Sequence, residues 1–232
     1  MAVNVRKDRP RATVEEMGDF TENTRVLISF GASEGGFDYS LGLRWAIYQK
    51  FNRQPQSDPA FVYIDAVSLE SATGTAYNYS REYDTHHMSN PTWDGFYQAA
   101  MRQCKTMIFL ISSHWLRSYW CWKELGWFMS GMKTSSVKPV FVLFPDAHSV
   151  LLQQSLMTKQ GKRVRPAEQW RDILLSRAKI IHIRTVASSE VRNATFHKIG
   201  PNQKHEPSMG TLAFHYATSE AETTEIINSI EV

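Results

Sequence analysis

Short, unbroken apolar runs constrain this chain more than any other feature. "RVLISF" (25–30), "AFVYIDA" (60–66), "KTMIFLISS" (105–113), "KPVFVLF" (138–144) and "KIIHI" (179–183) each have strand length and no polar alternation. A strand with one wet face alternates, whereas a strand buried on both faces reads as a continuous run. Between these runs lie segments with helical spacing: 39–51, 94–104, about 118–132 and about 166–178. Strands alternating with helices predict an α/β fold, a flavodoxin-like, doubly wound, five-stranded parallel sheet covered on both faces. No internal repeat interrupts the pattern.

The flanks differ from this centre. Residues 1–24 are polar, mixed in charge and contain Pro10, which reads as a mobile arm. The segment after Asp65, up to about 93, is long, polar and without periodicity, and loops of that length are usually functional or disordered. From about 186 to 232 the pattern weakens to an extension with a strand-like "TLAFHY" and a helix-like "SEAETTEIINSI".

Composition excludes several classes. With 42% hydrophobic and 12% aromatic residues in 232, the chain can build one packed domain. A net charge of +3, with its Lys and Arg residues dispersed, carries no nucleic-acid footprint. There is no signal-peptide pattern, and no run approaches the roughly 18 apolar residues that span a bilayer. The 2 cysteines, Cys104 and Cys121, lie in apolar surroundings and read as buried free thiols. These traits predict a cytoplasmic protein that engages neither membrane nor nucleic acid.

Ligands of doubly wound sheets bind outside the carboxyl ends of the strands. There lie the loop after Phe30, with Gly31, Ala32, Ser33 and Glu34, the loop after Asp65, and the turn from Ser112 into "SSHWLRSYWCWKELGWF" (112–128). The last segment holds four of the chain's 7 tryptophans and a single acidic residue, Glu124. Ser118 is placed to cap the helix. Cys121, Leu125, Phe128, Met129 and Met132 then form an apolar core stripe, beside a second stripe of Trp120, Glu124 and Trp127. No basic residue stands one turn from Glu124. Its carboxylate is therefore expected to be partly desolvated, with a raised pKa, and either to be functional or to find a partner elsewhere in the fold.

Other chemistry is weaker. No GxGxxG or Walker lysine is present, and Ser112 and Ser113 lack a nucleophile-elbow pattern. His86, His87 and Asp84 sit in a polar loop without usual ligand spacing, so no metal site is assigned. Cys121, on the apolar stripe, reads as an inert thiol.

Ser118, Trp120, Cys121, Glu124 and Leu125 resemble the Ser-x-Trp-Cys-x-x-Glu-Leu signature of TIR (Toll/interleukin-1 receptor) domains, which opens the helix after the third strand. "RVLISFGASE" and "FVYIDAVSLE" resemble the family's first two strands, so the likeness covers about 25–185, and the segment after Asp65 would be its BB loop. The resemblance implies an NAD⁺ nucleosidase or ADP-ribosyl cyclase that cleaves the nicotinamide–ribose bond and gives ADP-ribose or a cyclic isomer. NAD⁺ would be the substrate, and no cofactor would be needed. Glu124 would be the catalytic residue, with Phe30, Gly31, Ala32, Ser33, Trp115, Ser118 and Trp120 lining the substrate pocket. Trp127 would pack. Bacterial relatives of this kind, such as the TIR component of Thoeris, imply a signal for a separate effector in anti-phage defence and a homo-oligomer built through TIR–TIR contacts. The alternatives are a non-catalytic interaction module or a host-directed bacterial effector.

Overall fold

The computed structural model describes residues 19–31, 36–55, 57–64, 91–131, 136–144, 147, 150, 179–182 and 220–232. The helix expected at 166–178, "TLAFHY", Ala32, Ser33, Asp65, His86, His87 and most of the long polar segment lie outside these residues. The strands are β1 (Val26–Phe30), β2 (Val62–Tyr63), β3 (Thr106–Ile111), β4 (Lys138–Leu143) and β5 (Lys179–His182). The helices whose bounds fall within the described residues are α1 (Gly36–Lys50), α2 (Pro91–Gln103), α3 (Ser113–Arg117), α4 (Tyr119–Gly131) and α5 (Glu220–Asn228).

Among the described residues every strand pairing is parallel, and the order is β2-β1-β3-β4-β5, as in flavodoxin-like sheets. Within each strand successive side chains point to opposite faces. The apolar runs are therefore divided between two cores. Leu27, Tyr63, Met107, Phe109 and Phe141 face α2, α3 and α4. Val26, Ile28, Ile108, Val140 and Val142 face α1 and α5. On the first face Phe109 stacks on Phe141 at 4.9 Å and meets Phe128 edge-on at 5.3 Å.

The segments on either side of the sheet join this packing where they are described. Phe20, within the segment read as an arm, meets Phe96 edge-on at 5.8 Å, and Thr21 and Thr24 are buried. Helix α5 belongs to the second core through Ile226, with Ile230 following it. The Thr106 hydroxyl donates to the Glu231 carbonyl at 2.9 Å and accepts from the Glu231 amide at 2.8 Å. These contacts tie the last residues to the start of β3.

Helix α1 ends in a left-handed residue, Asn52 at φ 50°, with Arg53 N–H donating to Tyr48 O and Asn52 N–H to Gln49 O. Asn tolerates this conformation, and the paired bonds satisfy carbonyls the helix end leaves open. Arg44, 2% exposed, then clamps the turn into β2. Its Nε donates to Val62 O at 2.9 Å, and a terminal nitrogen donates to Pro59 O at 2.8 Å and to Tyr48 Oη at 3.3 Å. Tyr48 Oη in turn donates to Asp58 O at 2.5 Å. Burial lowers the Arg44 pKa, opposed by Tyr48 and Asp58 nearby. Removing one partner of a buried charged network leaves the others unsatisfied. Arg44→Ala is expected to lower stability by about 3 kcal/mol in urea unfolding.

Both cysteines are free and buried. Burial pushes the Cys104 thiol up to about 12. The thiolate is the reactive form, so Cys104 should resist maleimide at pH 8 in the native state and react once the protein is unfolded, as counted by mass spectrometry.

Candidate functional site

The site forms where β1 and β3 end side by side. The order of the sheet reverses between these strands, and the helices that follow them cover opposite faces, the place at which doubly wound folds take ligands. From β1 the chain runs to α1, and from β3 it runs through α3 to α4. Ser112, directly after β3, caps α3 by accepting the Trp115 amide on its hydroxyl at 3.1 Å. Ser118 closes α3 and opens α4, its hydroxyl accepting the Cys121 amide at 3.4 Å, the capping role its position predicted.

Glu124 is 5% exposed on α4. Its partner does come from elsewhere in the fold, 95 residues away: Ser29 Oγ donates to Glu124 Oε2 at 2.5 Å. That length is typical of a hydroxyl bonded to a charged oxygen. Trp115, fully buried, donates its indole Nε1–H to Ser29 Oγ at 2.9 Å. The indole is a donor only, so Ser29 accepts from it and spends its own proton on Glu124. An ordered chain, Trp115 to Ser29 to Glu124, runs beneath the end of β1. Sequence reasoning missed Ser29. Its signal was present, a lone hydroxyl within the buried run "VLISF".

The expected site residues are placed unequally. Glu124, Trp115, Gly31 and Ser118 gather around the β1 and β3 ends. The Phe30 ring, 8% exposed, packs in the opposite core with Ile28 and Val26. What Phe30 brings to this side is its carbonyl, which accepts from Cys121 Sγ at 3.5 Å. Trp120, 8% exposed, stands one turn before Glu124 and meets Tyr119 edge-on at 5.5 Å. Lys123 Nζ lies 4.3 Å from the centroid of Trp120 and 4.7 Å from that of Trp127, a cation held against two rings. Trp127 packs against Tyr97 at 6.2 Å. Trp122 donates its indole N–H to Leu116 O at 2.6 Å and lies 5.6 Å from Trp115. The core stripe Cys121, Leu125 and Phe128 is buried as expected, with Met129 packed beside it. Met132 lies outside the described residues.

Gly31 permits the close approach of the two loops. A Cβ there would stand 2.9 Å from His114 Cδ2, 2.9 Å from the Trp115 amide nitrogen and 3.3 Å from Ser112 Oγ. A backbone nitrogen cannot swing aside as a side-chain tip can. Gly31→Ala should therefore push β1 and α3 apart and cost about 1–3 kcal/mol, read as a lower thermal midpoint.

No protein-family model matches the chain, and no solved structure matches it. Among curated proteins the chain is similar to the 3′ cyclic ADP-D-ribose synthase HopAM1 of Pseudomonas syringae pv. tomato. The two are 34% identical over 137 residues, which is 58% of this chain and 49% of that protein. The chain thus spans about half the length of the curated relative it matches.

Proposed function

We propose that this chain is an enzyme of the TIR type that cleaves the nicotinamide–ribose bond of NAD⁺ and yields a cyclic ADP-ribose isomer. The observation that carries the reading is a buried carboxylate, Glu124, held by Ser29, with Trp115 behind it, at the carboxyl ends of β1 and β3. The activity named for the relative supports the same chemistry.

One carboxylate suffices for this reaction. Most glycoside hydrolases need a second acid to protonate an oxygen leaving group. Nicotinamide in NAD⁺ is already cationic, so the C1′–N bond breaks with its electron pair going to nitrogen, and neutral nicotinamide departs. Positive charge then develops on the ribose, where a carboxylate in a water-poor site stabilises it. A carboxylate accepts at several lone-pair positions, so it can bond ribose hydroxyls besides Ser29. Water, or a hydroxyl of the same dinucleotide, captures C1′ and loses one proton, giving ADP-ribose or its cyclic isomer. Trp120 flanks the base one turn before the carboxylate, Gly31 and Ser118 line the substrate site, and Trp115 supports it from beneath. A cyclised product is suited to act as a signal for a separate effector, in bacterial anti-phage defence, and the buried free thiols fit a reducing cytoplasm.

In an assay of concentrated protein with NAD⁺, the wild type should release nicotinamide together with a cyclic ADP-ribose isomer. Glu124→Gln should lower release by about 100-fold or more while keeping the wild-type circular dichroism. Trp120→Ala should shift the ratio of cyclic to linear product. A wild type that releases no nicotinamide sinks the reading and leaves a TIR interaction module in its place.

A further inference from the structure

Ser29 bonds the carboxylate of Glu124 without itself being placed to touch a reacting atom. It lies in β1, 1% exposed, where a serine would ordinarily be left to bond the backbone of its own strand. Here its proton instead goes to Glu124 Oε2 at 2.5 Å, and its lone pair takes the Trp115 indole proton at 2.9 Å. Each donor in this chain polarises the next, and a hydrogen bond to a carboxylate favours its charged form. The anchor is also rigid. β1 is paired with β2 on one side and with β3 along its whole length on the other, while Trp115 is fixed by the Ser112 cap and by Phe109 edge-on at 6.2 Å.

We propose that Ser29 is a positioning residue for the reaction, fixing one oxygen of Glu124 so that the carboxylate meets the ribose in a single orientation as an acceptor. The inference rests on the NAD⁺-cleaving reading. It assigns the serine to the chemical step and not to substrate binding. Loss of the hydroxyl removes this restraint on the carboxylate, and misplacement on the scale of an ångström costs about 100-fold in rate.

The test compares wild type, Glu124→Gln, Ser29→Ala and Ser29→Thr in one nicotinamide-release assay, well below the unfolding midpoint of each. Ser29→Ala should lower kcat by about 10–100-fold with KM little changed, and Ser29→Thr, which restores a hydroxyl, should recover most of the loss. A serine that only packs would lower the unfolding midpoint and leave kcat per folded molecule intact. Folded Ser29→Ala at wild-type kcat, with Glu124→Gln inactive, overturns this inference alone. A wild type without turnover overturns the NAD⁺ reading and the inference with it. Should Ser29→Ala fail to fold, Trp115→Phe, which keeps a ring and removes the indole N–H, takes its place: a lowered kcat at unchanged KM supports the chain of bonds, and a wild-type kcat overturns it.

Discussion

The pairing of β1 with β3 is the constraint on which the rest of the molecule depends. These strands are in register from Val26–Thr106 to Phe30–Leu110, yet they are consecutive in space and not in sequence. The chain leaving β1 must cover one face as α1, and the chain leaving β3 must cover the other as α3 and α4. Doubly wound folds take ligands where strands part in this way. Gly31 brings the end of β1 against α3, because only a residue without Cβ can approach the Trp115 backbone so closely.

Two buried charged side chains show how the same physics serves different ends. Arg44 bonds mostly backbone carbonyls, at Pro59 and Val62, with Tyr48 completing the set. Its partners belong to the turn it clamps, so its work ends in the shape of that turn. Glu124 bonds the side chain of Ser29, which is ordered in turn by Trp115, and all of them lie at the edge where doubly wound folds take ligands. Burying a charge is costly unless hydrogen bonds compensate. A partner supplied from the strand floor lowers that cost while the carboxylate stays at the strand ends.

Much of this was legible in the sequence wherever local chemistry governs. Continuous apolar runs marked the strands, and the Ser118 cap and the Cys121–Leu125–Phe128 stripe emerged as read, because caps and helical spacing are short-range. β2 is shorter than its run, Val62–Tyr63 within 60–66, since only those residues align with Val26 and Leu27. The Phe30 ring followed strand alternation into the far core, which parity with Ile28 would have foretold. Contacts between distant segments were not legible. The bond from Ser29 to Glu124 spans 95 residues, and the bonds of Thr106 to Glu231 span 125. Helix α5 therefore read as an appendage although Ile226 completes the second core.

The chemistry asks for a balance at Glu124 that this arrangement can supply. A carboxylate stripped of all donors in an apolar cavity takes up a proton and loses its charge. One saturated by several donors keeps its charge but spends it on them, leaving less field for an approaching cation. A short bond from a serine, itself supported by an indole, helps to hold the carboxylate between these extremes. Low exposure adds to this, because a charge little screened by water acts more strongly on a nearby cation, which is what the proposed reaction requires. The aromatic residues of 112–128 thus do more than pack: Trp115 orders the donor, and Trp120, edge-on to Tyr119, stands one turn before Glu124 on the same helix.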